Sequence, residues 1–135
     1  MGSRRSLLIL EDVPEMREWL TTLIRARFPE WQVRAVETAG DFHRAIERER
    51  PDLILFDEVL GPGEDLASLL QVAASHLIPV ALMTGMDPSH RNSARLPASV
   101  LRRMIKPIWE DGSGTEEFLN EVSEVIALTV SGRIG

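Results

Sequence analysis

Cysteine is absent from all 135 residues, which excludes a disulfide framework and any thiolate metal site and fits a reducing, cytoplasmic setting. Long apolar runs are absent too. After the basic opening Met1–Ser6, the run Leu7–Leu10 is interrupted by Glu11 and Asp12, too soon for a signal-peptide core or a membrane span. Positive charge is scarce, with 15 Lys and Arg against 21 Asp and Glu and a net charge of −6. That balance argues against direct nucleic-acid binding, which depends on neutralising phosphates. Repeats, low-complexity tracts and interior linkers are also missing, so the chain reads as one domain over residues 6–130, with 1–5 and 131–135 as flexible termini. Hydrophobic residues make up 44% of the chain, enough to bury a core without metal or disulfide staples.

What is present is an alternation of short apolar runs and longer amphipathic stretches. Leu7–Leu10, Asp52–Phe56 and Ile78–Met83 read as buried strands. Ser99–Ile105 reads as a further strand, weakened by Arg102 and Arg103, and Gln32–Val36 alternates as an edge strand does. Helical spacing joins Met16, Leu20, Leu23, Ile24 and Arg27, then Phe42, Ala45 and Ile46. A third helix is marked by Leu66, Leu69, Leu70, Ala73 and Leu77, and a last one by Phe118, Val122, Val125 and Thr129. The polar stretch Asp87–Leu96 carries little helical signal, and Ser131–Gly135 reads as a frayed tail. Continuous apolar strands separated by amphipathic helices predict an α/β fold, a doubly wound (βα)5 parallel sheet covered on both faces.

In such a sheet, ligands gather outside the carboxyl ends of the strands. The first run ends in Glu11 and Asp12, the third strand in Asp57, the fourth in Thr84 and the fifth in Lys106. Three carboxylates crowded together repel unless a cation intervenes. With no His or Cys beside them, the preferred ion is hard and oxygen-seeking, such as Mg²⁺. A carboxylate beside Mg²⁺ and an ammonium is equipped to attack a phosphoryl donor. Each residue alone also has a plainer reading: a solvated loop for Glu11 and Asp12, a helix cap for Asp57, a turn for Thr84 and a surface position for Lys106. Their joint placement at strand ends is what favours chemistry.

The pieces Leu8-Ile9-Leu10-Glu11-Asp12, Leu53-Ile54-Leu55-Phe56-Asp57, Ala81-Leu82-Met83-Thr84-Gly85 and Ile105-Lys106-Pro107 resemble those of the two-component response-regulator receiver domains. The resemblance spans about Ser6 to Leu128. It implies a flavodoxin-like fold with strand order 2-1-3-4-5 and Asp57 as phosphoacceptor. It also implies a Mg²⁺ site at Glu11, Asp12, Asp57 and the Val59 backbone carbonyl. Thr84 and Lys106 are then implied as phosphoryl-binding groups, with a cis bond before Pro107. The implied partner is a histidine kinase or phosphotransfer protein. Signalling, and homodimerisation where it occurs, would use the face made by the fifth strand and the helices that flank it in the family. Such a domain is not an enzyme beyond its own phosphorylation and dephosphorylation.

Three features depart from the family pattern. The loop Gly61-Pro62-Gly63 carries its proline one residue late. Arg103 stands where an aromatic switch residue is usual, and an arginine does not bury there unpaired. Arg91, Arg95, Arg102, Arg103 and Lys106 lie in residues 88–109, which contain no acid. That stretch is either a solvated basic face or a docking patch for an acidic partner. His43, His76 and His90 are too scattered for a metal trio. Two other functions compete. One is a receiver-like interaction module that never takes phosphate. The other is a Mg²⁺-dependent phosphatase of the haloacid-dehalogenase type, which would place a second Asp where Val59 stands.

Overall fold

Side chains of a strand point alternately to opposite faces, and that alternation sorts the core into two layers. The computed structural model describes residues 4–59, 63–85 and 100–132. Its strands are β1 (Arg5–Leu10), β2 (Trp31–Val36), β3 (Leu53–Asp57), β4 (Val80–Thr84) and β5 (Val100–Ile105), and its helices are α1 (Pro14–Arg27), α2 (Ala39–Arg48), α3 (Leu66–Ser75) and α4 (Thr115–Gly132). All strand pairs are parallel, as the apolar runs predict, and their order is β2-β1-β3-β4-β5, as the resemblance implies. Leu7, Ile9, Leu53, Leu55, Ala81 and Met83 pack with α1 and α4 through Leu20, Ile24, Phe118 and Val122. Leu8, Leu10, Ile54, Phe56, Val80 and Leu82 pack with α2 and α3 through Phe42, Ile46, Leu69 and Ala73. Both faces of the central strands are covered, which is why their sequences are apolar without alternation.

Local signals place the helices. Pro14 sits in the first turn of α1, Glu15 follows it, and Arg25 and Arg27 close the last turn, charges that suit the helix dipole. Thr38 caps α2 by accepting the Asp41 N–H at 3.1 Å, and Asp65 caps α3 by accepting the Ala67 N–H at 3.1 Å. The ordered elements reach slightly past the expected bounds 6–130: β1 opens at Arg5 and α4 closes at Gly132, the usual one- or two-residue margin at element ends. The Asp87–Leu96 stretch, Leu60, Gly61 and Pro62 lie outside the described residues. So do Arg91, Arg95 and His90.

The two edge strands, β2 and β5, carry arginines, a common way to discourage edge-to-edge pairing. Arg4 and Arg25 donate to the backbone carbonyls of Trp31 and Val33, at 3.3 and 2.8 Å. On β5, where the register shifts between Val80 and Ala81, Arg102 pairs with Glu124 of α4 and Arg103 with Glu58.

Leu77 corrects one expectation. The helical spacing extends to it, yet α3 ends at Ser75, and Leu77 is 82% exposed with a positive φ of 58°. The chain must reverse there to enter β4, and Arg50 fixes the turn by donating to the carbonyls of His76 and Leu77, at 3.0 and 2.8 Å. A side chain held in the left-handed region costs about 1–2 kcal/mol, part of which glycine returns as unfolded-chain entropy. Leu77→Gly is therefore expected to stabilise the protein by about 0.5–1 kcal/mol in urea unfolding. A loss of stability would mean that the Leu77 side chain packs usefully.

Candidate functional site

β1 and β3 are neighbours, and the chain leaves β1 toward β2 on one side before returning to β3 on the other. That reversal opens a crevice at the carboxyl ends of the strands. Register brings the ends level: Leu10 lies beside Phe56, Asp57 beside Met83, and Thr84 beside Ile105. The residues just past or at these ends are Glu11, Asp57, Thr84 and Lys106. The first three are buried, with 0, 3 and 3% exposure.

Carboxylate oxygens of Glu11, Asp12 and Asp57 lie within 4.8 Å of one another. Lys106, the only lysine in the chain, donates through Nζ to Glu11 Oε1 at 3.0 Å and to Asp57 Oδ2 at 3.1 Å. Asp57 Oδ1 accepts the Val59 N–H at 3.0 Å, so both oxygens of that carboxylate are oriented. Glu11 is fixed by its backbone as well, its N–H donating to the Val36 carbonyl at 3.1 Å. Arg17 Nη1 donates to the Glu11 carbonyl at 3.0 Å.

The electrostatics follow from burial and crowding. Burial first, then the Asp57 charge, push the Glu11 carboxyl up to about 7, against the pull of Lys106. Burial alone would lower Lys106, but Asp57 and Glu11 outweigh it and hold the ammonium above its ordinary value. A site with three carboxylates and one ammonium carries an excess of two negative charges when fully ionised. Such an all-oxygen donor set, with no nitrogen or sulfur ligand, suits a hard divalent cation.

Among the expected site residues, Glu11, Asp12, Asp57 and Lys106 come together. The Thr84 carbonyl accepts the Lys106 N–H at 2.8 Å, which ties the end of β4 to the lysine. Val59 meets Asp57 through its N–H, and its side chain is exposed. The bond before Pro107, expected cis, is trans, because no peptide bond among the described residues is cis. Trans is the intrinsically preferred isomer even before proline, and Lys106 reaches both carboxylates with it.

One contact was only half legible. Arg103 Nε donates to Glu58 Oε1 at 2.9 Å, with side-chain exposures of 13 and 18%. An arginine at that position signals the need for a partner. Nothing in the spacing points to Glu58, 45 residues away and next to Asp57. Trp109 meets Trp19 edge-on, with ring centroids 5.2 Å apart.

No protein-family profile matches the chain. The transcriptional regulatory protein GltR of Pseudomonas aeruginosa is 39% identical over 85 residues, covering 59% of this chain. The chain covers only 34% of that relative's length. A CheY-like receiver domain from Methanospirillum hungatei superposes with a TM-score of 0.75 at 21% identity, covering 96% of this chain and 99% of the other. A chain from the complex of the CheA3 P1 domain with CheY6 of R. sphaeroides gives 0.73 at 18% identity, covering 96 and 99%. The receiver domain of a DNA-binding regulator from Colwellia psychrerythraea gives 0.66 at 19%, covering 91 and 98%. Five parallel strands in this order, with helices on both faces, give the chain the CheY-like fold of response-regulator receiver domains.

Proposed function

We propose that residues 6–130 form a response-regulator receiver that accepts a phosphoryl group on Asp57 from a histidine kinase or phosphotransfer protein. The observation that carries this reading is the meeting of three carboxylates and the sole lysine at the carboxyl edge of a CheY-like sheet. Glu11, Asp12, Asp57 and the Val59 carbonyl would hold Mg²⁺, which when bound neutralises charge on the incoming phosphate. Asp57, aimed by Val59 N–H and Lys106, attacks phosphorus as the bond to the donor breaks. Lys106 then trades its carboxylate partners for the phosphoryl oxygens, and the Thr84 hydroxyl donates to one of them. Signalling is assigned to the face of β5 and α4, where copies of the chain or an acidic partner would dock. Arg102 and Arg103 already have acidic partners within the chain, so such docking requires exchange of those pairs. The reading places the protein in the cytoplasm. No helix among the described residues is long and apolar enough to cross a membrane.

The test uses acetyl phosphate or beryllofluoride with Mg²⁺, followed by intact mass and by tryptophan emission. The expected result is a gain of one phosphoryl mass with acetyl phosphate in the wild type. The gain should be abolished by EDTA and by Asp57→Asn. Emission should change because Trp109 follows Lys106 closely in sequence and its ring meets Trp19. Absence of any Mg²⁺-dependent gain would leave the phosphate-independent interaction module, which the half-buried Arg103–Glu58 pair favours. Sustained turnover of a small phosphoester would instead indicate a phosphatase.

A further inference from the structure

An acidic protein does not gather arginines in one place without electrostatic cost, yet this chain does so far from β5. A cleft of about 450 Å³ between β2 and α2 is lined by Arg17, Arg34, Arg44 and Arg48, with Glu37 and Asp41 as its acids. Four guanidinium groups face two carboxylates, an excess of positive charge inside a chain of net charge −6. The internal partners are incomplete. Arg44 pairs with Asp41, and Arg17 reaches Glu37 only at 4.0 Å. Among the described residues Arg48 has no acidic partner. Arg34 donates through Nη2 to the Glu49 carbonyl at 3.0 Å, but its buried Nε finds no acceptor in the protein. A buried donor without an acceptor is costly.

We infer that this cleft is a second binding site, for a compact polyanion carrying phosphate or carboxylate groups. Planar guanidinium forks match both groups through paired hydrogen bonds. The volume suits a small molecule. The lining holds no aromatic ring, so nothing there would stack a nucleobase. Arginines already occupy carbonyls of the β2 edge, which disfavours an added peptide strand and favours a small ligand. The site stands whether or not Asp57 accepts phosphate, because it shares none of the acidic residues. It does touch them at one remove: Arg17 lines the cleft and donates to the Glu11 carbonyl.

The experiment is a titration of the full chain with inorganic pyrophosphate in EDTA at low salt, followed by calorimetry and backbone amide shifts. Saturable 1:1 binding is expected, with shifts centred on residues 34–37 and 41–48. The exposed pair Arg44→Gln and Arg48→Gln, which leaves the Arg34 contact to the Glu49 carbonyl intact, should weaken it at least about tenfold. Arg27→Gln, which removes a distant positive charge, should leave it unchanged. Citrate in place of pyrophosphate tells carboxylate from phosphate ligands: equal affinity marks a general polyanion site, weaker affinity a phosphate site. No saturable binding of either anion, or equal weakening by Arg27→Gln, overturns the inference.

Discussion

Lys106→Met is expected to lower the unfolding free energy of the metal-free protein by about 3 kcal/mol at pH 8, and saturating Mg²⁺ to return most of that loss. The lysine side chain is only 14% exposed and joins two carboxylates that are 0 and 5% exposed. Methionine fills similar volume but leaves Glu11 and Asp57 facing each other with no cation. Removing one partner of a buried ion pair typically costs about 3–5 kcal/mol, mainly because the remaining charge stays desolvated. Here the loss is held to the low end, because Glu11 takes up a proton more readily than an ordinary glutamate. The same property makes the loss smaller at pH 6, where Glu11 is largely protonated. Lys106→Arg should fall between, since the planar fork keeps the charge but not the compact geometry. Urea unfolding in EDTA and in Mg²⁺ measures all three. If Lys106→Met matched the wild type in EDTA at pH 8, the buried pair would be contributing no net stability.

Much of this arrangement is written in the chain, because in a parallel sheet the last residue of a strand has a defined place. Leu7–Leu10 and Leu53–Phe56 are apolar at every position, which only a strand covered on both faces explains. Their endings therefore put Glu11 and Asp57 at one edge before any coordinates are known. Legibility fails where a contact depends on register between distant segments. Arg103 and Glu58 meet across two intervening pairings, β3 with β4 and β4 with β5, the second containing a register shift. Nor can the periodicity of α2 reveal that Arg34 of β2 lines the same cleft as Arg44 and Arg48. Leu77 fails for another reason. Its spacing continues the α3 stripe, but the need to turn toward Pro79 and β4 ends the helix first. Lys106–Pro107 shows the opposite hazard, an isomer transferred by resemblance where the chain keeps the default.

Glu11 sets the second large effect, the dependence of stability on pH. Its carboxyl lies at about 7 in the folded protein against an ordinary 4.5, so between those values the native state holds more protons than the unfolded one. Stability then falls as pH rises through this window. The metal-free wild type should lose about 2–3 kcal/mol between pH 4.5 and pH 7.5 and change little from there to pH 9. Lys106 does not mask this, because its raised pKa makes its stabilising share constant throughout the window and lost only in strong alkali. Asp41 and Asp111, both held below their ordinary value, weaken the fold only when pH drops toward 4 and lower. A stability maximum near pH 5 follows. Glu11→Gln should flatten the slope above pH 5 whatever its effect on absolute stability, and saturating Mg²⁺ should flatten it in the wild type by favouring the ionised carboxylate. Unfolding curves at half-unit steps of pH decide the matter. A wild-type profile in EDTA as flat as that of Glu11→Gln would show that Glu11 is ionised throughout, and that burial and Asp57 do not outweigh the lysine.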